Sequence, residues 1–177
     1  MSGLGQRDVI TVKGYAYFLF FSRVLLKTMI VIAHNIRSLH NVGSIFRSCD
    51  AFGVKKLYLT GFTGIPPRKE IAKVSLGSEH RVSWEALLEI KPLLQILKQQ
   101  GFCLVALDNT QGSIPIHMVK KEKPLVLILG NEVEGIEKEV LVECNQQIEI
   151  PMPGGKQSLN VSVATGIALF ALTQEGR

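Results

Sequence analysis

Short apolar strands alternate with helical segments along most of this 177-residue chain. Residues 29–33, 102–107 and 124–129 form nearly continuous apolar runs, as in strands that are buried on both faces. Between such runs, residues 41–52 and 85–100 carry apolar side chains at helical spacing. The remaining predicted strands are residues 55–60, 81–84 and 147–150, and the remaining predicted helices are residues 136–144 and 158–173. This alternation predicts an α/β domain with a mostly parallel sheet.

Composition limits the classes of protein that remain. With 46% hydrophobic and 20% charged residues, the chain can bury a full core and is not of the disordered class. The three cysteines, Cys49, Cys103 and Cys144, are odd in number and widely spaced. This spacing argues against a disulfide framework or a CxxC metal site, and it is typical of a protein of the reducing cytoplasm. The four histidines show no paired spacing, so we expect no metal centre.

The excess of positive charge favours a polyanionic partner. The formal net charge is +5 and the isoelectric point is about 9.2. Residues 1–90 hold 12 Lys and Arg against 6 Asp and Glu, whereas residues 91–177 hold 8 against 9. Part of this excess lies in residues 1–28, which contain four cations and one acid.

The first 28 residues differ in character from the rest. Residues 15–21 form an apolar run rich in aromatic side chains, and Arg23 interrupts its continuation. The run is shorter than the roughly 20 apolar residues that span a bilayer, so we expect no membrane insertion. Because Met29 opens a clear strand, the domain proper is predicted at residues 29–177. Residues 1–28 are then either an extension, or a segment before the true first residue Met29, or an extra helix packed on the domain or on a partner.

Ligands of parallel α/β sheets bind outside the carboxyl ends of the strands, and three polar segments follow strands here. In the first, Asn41 precedes a helical segment and is predicted to be its N-cap. Gly43 permits close approach of another element at the first turn, and Arg47 lies six residues beyond Asn41. The simplest interpretation of this segment is a helix cap followed by a surface arginine.

In the second segment, a buried strand runs into Gly130 and then Glu132. A glycine at a strand end lets the backbone approach a ligand closely. Gly130 and Gly135 have the spacing of a phosphate-binding loop, but Ile136 stands where that loop requires lysine. The alternative interpretation of Glu132 is a carboxylate at the start of a helix, where the helix dipole favours it.

In the third segment, a strand ends in a loop of proline and glycine that leads to the last helix. Ser158, Asn160 and Ser162 are polar residues at the start of an otherwise apolar helix. Buried polar side chains need hydrogen-bond partners, so these three residues are candidates for a site. The alternative is that Ser158 only caps the helix.

Taken in this order, the three segments resemble the three motifs of the SpoU-type (TrmH-like) RNA ribose 2'-O-methyltransferases of the SPOUT superfamily. The matching residues are Asn41, Gly43 and Arg47 in the first motif, Gly130, Glu132 and Gly135 in the second, and residues 150–164 in the third. The resemblance covers about residues 29–173. The Pro-Gly-Gly-Lys loop before Ser158 departs from the motif, and residues 1–28 have no counterpart, which leaves the choice of target RNA open.

The resemblance implies a parallel sheet with helices on both faces and a C-terminal trefoil knot. It also implies S-adenosyl-L-methionine as cofactor, bound by the loops of the knot. The residues expected to line that cofactor site are Leu107, Gly130, Ile150 and Leu159. Members of the family are homodimers, so we expect each site to be completed across a dimer interface.

The implied reaction is methylation of a ribose 2'-hydroxyl in RNA, with transfer RNA as the first expected substrate and ribosomal RNA as the second. The implied catalytic residues are Asn41, Arg47, Glu132, Ser158 and Asn160. Arg47 would bind the adjacent phosphate and lower the pKa of the hydroxyl, because a guanidinium with a pKa above about 12 is a poor base. Asn41 would hold the ribose or Arg47, and Glu132 would orient one of these two. Ser158 and Asn160 would organise the knot and contact the substrate.

Three other classes of protein fit the sequence less well. A nucleotide-dependent oxidoreductase is disfavoured because no GxGxxG fingerprint occurs. A catalytically silent RNA-binding module would not need intact matches to all three motifs. A cysteine enzyme that uses Cys49 with His40 rests only on their proximity in sequence, and Cys49 lies on the apolar side of its predicted helix.

Overall fold

A seven-stranded parallel sheet forms the centre of the protein. The computed structural model describes residues 28–120, 124–156 and 158–174. The strands are β1 (Met29–His34), β2 (Lys56–Thr60), β3 (Trp84–Leu87), β4 (Cys103–Leu107), β5 (Ile114–Pro115), β6 (Leu125–Leu129) and β7 (Gln146–Glu149), in the order β3-β2-β1-β6-β4-β7-β5. Every neighbouring pair is parallel, which confirms the predicted α/β architecture. The predictions for residues 1–27 lie outside the described residues.

Helices cover both faces of this sheet. They are α1 (Leu39–Ala51), α2 (Lys69–Ser75), α3 (Ser78–Arg81), α4 (Ile90–Gln99), α5 (Lys138–Leu141) and α6 (Val161–Thr173). Side chains along β1 alternate between the faces: Val31 packs with residues of α1 and α6, and Ile32 packs with residues of α4 and α5. The core therefore has two layers, one on each side of the sheet. No helix in the described parts of the chain is long and apolar enough to cross a membrane.

The elements around β3 differ from the prediction. The expected strand at residues 81–84 is instead β3 (Trp84–Leu87), which pairs in register with β2. Because residues 85–87 belong to this strand, the predicted helix at residues 85–100 begins only at Ile90. The short helices α2 and α3 were not predicted, since neither is long enough to show a helical period.

The strand order positions the candidate site. β6 is inserted between β1 and β4, and β7 lies on the far side of β4. The carboxyl ends of these four strands are therefore adjacent, although their sequences are far apart. The loops after them carry the three polar segments of the sequence, so the sheet brings these segments to one edge.

Replacement of Gly43 by alanine is expected to lower the free energy of unfolding by about 1 kcal/mol. A Cβ atom at Gly43 would lie 2.7 Å from the carbonyl oxygen of Ile71 and 3.0 Å from Cβ of Val74, both in α2. Such overpacking costs about 1–3 kcal/mol. This cost exceeds the roughly 1 kcal/mol that alanine gains over glycine in a helix. Urea unfolding followed by circular dichroism measures the difference.

The matched control is Gly154→Ala, because no atom lies within 4 Å of a Cβ atom at that position. This variant should stay within about 0.5 kcal/mol of wild type. A Gly43→Ala protein as stable as wild type would show that the close packing of α1 on α2 does not require glycine.

Candidate active site

A cleft of about 380 Å³ opens at the carboxyl edge of the sheet, between the loops that follow β4, β6 and β7. All four residues predicted to line a cofactor site border this cleft: Leu107, Gly130, Ile150 and Leu159. The structure thus brings together positions that are spread over more than fifty residues of sequence. Their role as cofactor contacts remains a prediction.

The loop after β6 owes its shape to two glycines. The backbones of Asn131 and Gly135 exchange two hydrogen bonds, at 2.9 and 3.0 Å, which close the intervening residues into a tight turn. A Cβ atom on Gly130 would come within 2.5 Å of Gly135 and of Ile136, and Gly135 itself has φ +72°. The two glycines that resemble a phosphate-binding loop in spacing are therefore required by the closure of this turn.

Carboxylates surround the cleft. Asp108, Glu132, Glu134 and Glu149 all border it, and its described lining contains no lysine or arginine. Asp108 Oδ2 accepts a hydrogen bond of 2.8 Å from the backbone N–H of Ile136, which fixes the loop after β6 to the end of β4. Sequence reasoning missed Asp108, Glu134 and Glu149, although Asp108 directly follows a predicted strand. The electrostatics of the cleft favour a cationic ligand.

Glu132 joins the second motif to the first. Its carboxylate accepts hydrogen bonds from the backbone N–H groups of Arg37 (2.9 Å) and Ser38 (3.0 Å), and from Nδ2 of Asn41 (2.9 Å). Partial burial acts to raise the pKa of Glu132, but these hydrogen bonds outweigh it and hold the pKa below its usual value. Glu132 does not start a helix of its own, because its chain turns back and α5 begins only at Lys138. It lies instead at the N-terminal end of α1.

Asn41 is not the N-cap of α1, in contrast to the prediction. The cap is Ser38, whose Oγ accepts a hydrogen bond from the backbone N–H of Asn41. The Asn41 side chain is therefore available for tertiary contacts. Its Nδ2 donates to Glu132, and its Oδ1 accepts a 3.1 Å hydrogen bond from Nδ2 of Asn160.

The third motif reaches this network through the start of α6. Asn160 caps α6, since its Oδ1 accepts a 2.9 Å hydrogen bond from the backbone N–H of Ser162. The alternative interpretation of Ser158 as the cap is thus wrong, because the helix begins at Val161. Ser158 borders the cleft instead. A chain of hydrogen bonds therefore runs from Glu132 through Asn41 to Asn160, with Ser158 nearby.

Arg47 lies outside this arrangement. It is exposed on α1 and borders a separate, shallow depression together with Asp50 and Arg81. Asp50 is already bound by Arg81 and Ser78, whose hydrogen bonds hold the pKa of that carboxyl below its usual value. The side chain of Arg47 makes no hydrogen bond or ion pair with any other residue in the described ranges. The structure thus brings together four of the five predicted catalytic residues and leaves Arg47 apart within one chain.

Cys49 does not fit the role of a nucleophile. Its side chain is fully buried in the core, and this burial raises the pKa of its thiol far above the usual value. His40, by contrast, is exposed. Within the residues that the structure describes, no group of three or more His, Cys, Asp or Glu side chains is placed to hold a metal ion.

The chain is similar in sequence to known enzymes. A tRNA (guanosine(18)-2'-O)-methyltransferase of Aquifex aeolicus is 38% identical over 81% of this chain and 68% of its own length. A 23S rRNA (guanosine-2'-O-)-methyltransferase, RlmB, of Xanthomonas axonopodis is 29% identical over 84% of this chain. The chain spans only 59% of the length of that second enzyme.

The fold is similar to that of solved structures as well. The rRNA methyltransferase of Sinorhizobium meliloti, solved with bound AdoMet, superimposes with a TM-score of 0.76 and 29% identity. The match covers 82% of this chain and 55% of the solved one. Residues 28–170 match the SpoU rRNA methylase family, and they include the three motifs that meet at the cleft. The chain therefore belongs to the SpoU rRNA methylase family.

Proposed function

We propose that this protein transfers a methyl group from S-adenosylmethionine to a ribose 2'-hydroxyl in RNA. The observation that carries the proposal is the convergence of the three motifs at one edge of the sheet. The cleft lined by Leu107, Gly130, Ile150 and Leu159 lies beside the hydrogen-bonded residues Glu132, Asn41 and Asn160.

The cleft suits S-adenosylmethionine in size, shape and charge. Apolar strand ends and the bare backbone at Gly130 can accept an adenine ring, and the volume lies within the range of small-molecule sites. The acidic residues around the cleft complement the ammonium and sulfonium charges of the cofactor. When bound, the cofactor supplies a methyl group that is activated by its positive sulfur.

The side chains of the protein would position the ribose and manage charge. Asn41 is held by Glu132 and Asn160, so its orientation is fixed before a substrate arrives. Arg47 would bind the phosphate next to the reacting ribose through its planar fork. Its charge would stabilise the negative charge that develops on the 2'-oxygen as the hydroxyl proton passes to water.

Transfer RNA is the first proposed substrate and ribosomal RNA the second. The Aquifex relative that acts on tRNA is more similar to this chain, and matches over more of its own length, than the Xanthomonas relative that acts on rRNA. The excess of Lys and Arg in residues 1–90 fits either polyanion. We place the reaction in the cytoplasm, which agrees with the three free cysteines.

We also propose a homodimer and a C-terminal trefoil knot. One side of α6 exposes an apolar stripe, Val163, Ile167 and Phe170, that the described chain leaves uncovered. A second copy related by twofold symmetry would bury this stripe and bring Arg47 of one chain towards the cleft of the other. Family membership supports the proposal of a knot, and the bond between Asn41 and Asn160 fits a C-terminal segment anchored against the first motif.

The direct test is methyl transfer from labelled S-adenosylmethionine to total tRNA and, separately, to total ribosomal RNA. We expect incorporation into tRNA, with the label mapped by nuclease digestion to a 2'-O-methyl nucleoside. Label on a base rather than on ribose, or no label in either RNA pool, would contradict the proposal.

Replacement of Arg47 by alanine should lower kcat about 100- to 1,000-fold, the loss typical of one electrostatic contact to a transition state. Arg47→Lys should lose most of the same activity, because an ammonium cannot reproduce the planar fork. Calorimetry with S-adenosylhomocysteine should give wild-type affinity for both variants, because Arg47 lies outside the cleft. Lys138→Ala removes an exposed cation elsewhere and should retain full activity. Normal turnover of Arg47→Ala would contradict the assigned role.

Mixing two inactive variants tests whether Arg47 acts across a dimer. Gly130→Ala should abolish binding of S-adenosylhomocysteine, because its Cβ atom would collide with the turn at Gly135. Co-expression of this variant with Arg47→Ala yields mixed dimers in which one site has both an intact cleft and an intact arginine. Random pairing should restore about a quarter of the wild-type number of sites. No activity in purified mixed dimers would show that Arg47 serves its own chain.

A further inference from the structure

An exposed phenyl ring lies on a loop that is bonded to the segment between β1 and α1. Phe62 lies in the loop after β2, and 63% of its surface is exposed. The exposed Ile65 follows in the same loop. Exposed cations lie on the neighbouring segments: Arg37 and His40 around the start of α1, and Arg68 and Lys69 at the start of α2. We call these six residues the aromatic–basic patch.

The loop that carries Phe62 is firmly anchored. The backbone N–H of Phe62 donates to Oδ1 of Asn35 at 3.2 Å. Thr63 is buried, and its hydroxyl donates to the Ala33 carbonyl and accepts from the backbone N–H of Ile36. A Cβ atom on Gly64 would lie 2.2 Å from Leu39, so the loop packs closely on the start of α1. Phe62 is therefore exposed on a well-supported loop.

Two hydrogen bonds join the segment of residues 35–37, which includes Arg37 of the patch, to the edge of the cleft. Arg37 donates its backbone N–H to Glu132, and the carbonyl of Asn35 accepts a 2.9 Å hydrogen bond from Nδ2 of Asn131. Both Asn131 and Glu132 border the cleft. Glu132 also binds Asn41, and Asn35 binds the backbone of Phe62, so the loop of Phe62 neighbours the site proposed for the ribose.

The chemistry of the patch is that of a site for unpaired nucleotides. An aromatic face stacks on any base, and flanking cations bind the phosphates on either side. Arg37, Arg68 and Lys69 make no ion pair with a residue in the described ranges, so their charge is available to a ligand. Two exposed acids lie close to the patch. Glu70 follows Lys69 in sequence, and Glu137 accepts a 2.7 Å hydrogen bond from Nδ2 of Asn35, whose Oδ1 accepts from the backbone N–H of Phe62.

We propose that Phe62 stacks on an unpaired base of the substrate RNA, next to the methylated nucleotide, while Arg37, Arg68 and Lys69 bind the neighbouring phosphates. This inference rests on the proposed function and adds the surface that holds the RNA. A second copy of the chain suits the patch less well, because a twofold contact would place like charges against each other. The uncharged stripe on α6 is the better surface for that copy.

The test compares Phe62→Ala, Phe62→Leu and Phe62→Tyr for binding to total tRNA and for methyl transfer. Loss of one stacked base should weaken RNA binding about 5- to 150-fold in the alanine and leucine variants. Tyrosine keeps the aromatic face and should bind within about twofold of wild type. The matched control is Val142→Ala, which shortens an apolar side chain that is exposed on the opposite face of the sheet.

The salt dependence of RNA binding distinguishes the contribution of stacking by Phe62 from that of the charges. Phe62→Ala should leave the slope of binding against salt concentration unchanged. The double variant Arg68→Gln, Lys69→Gln should reduce that slope by about 0.7 for each phosphate that the protein no longer neutralises. Binding of S-adenosylhomocysteine should be unchanged in all of these variants.

Three results would overturn the inference. Wild-type RNA affinity of Phe62→Ala in a protein that methylates RNA would refute stacking and leave the proposed function intact. Wild-type affinity of Phe62→Leu would show apolar packing instead. Dissociation of the dimer on Phe62→Ala, seen by light scattering, would assign the patch to a subunit contact. A wild-type protein that methylates neither RNA pool would remove the proposed function itself.

Discussion

The carboxylate of Glu132 holds the candidate site together. It satisfies two backbone N–H groups at the start of α1, which no helical carbonyl can reach. It also fixes the amide of Asn41, which in turn receives Asn160. One side chain thus joins three loops that come from distant parts of the chain. The hydrogen bonds of Glu132 that fix the segment before α1 thus belong to the same network that holds Asn41 and Asn160 in place.

This arrangement is possible because of the strand order. β6 enters the sheet between β1 and β4, so the loop that carries Glu132 emerges directly beside the start of α1. A sheet with its strands in sequence order would place β1 and β6 five strands apart, about 24 Å. The buried, uninterrupted apolar character of β1, β4 and β6 is what permits these strands to occupy the centre.

The charges of the site are segregated. Four carboxylates border the cleft, whereas Arg37, His40 and Arg47 are exposed on α1 and on the segment before it. A cationic cofactor and a polyanionic substrate would each meet the complementary sign.

Local patterns in the sequence are enough to locate the central strands and to predict that both of their faces are buried. The family motifs and the strand ends are enough to predict four residues that border the cleft: Leu107, Gly130, Ile150 and Leu159. Apolar runs indicate buried strands, and the glycine at the end of β6, Gly130, indicates that the backbone can approach a ligand closely. The same patterns placed the cap of α1 three residues too late and missed Asp108, because many short polar side chains can cap a helix or follow a strand.

Three features of the site depend instead on the packing of the whole chain: Glu132 serves α1, Asn41 faces Asn160, and Arg47 lies apart from the cleft of its own chain. The partners of Asn41 are 91 and 119 residues away in sequence. The spacing of apolar residues shows which face of a helix or strand is buried, but it does not show which distant element covers that face. The spatial order of the strands in the sheet decides which distant element that is.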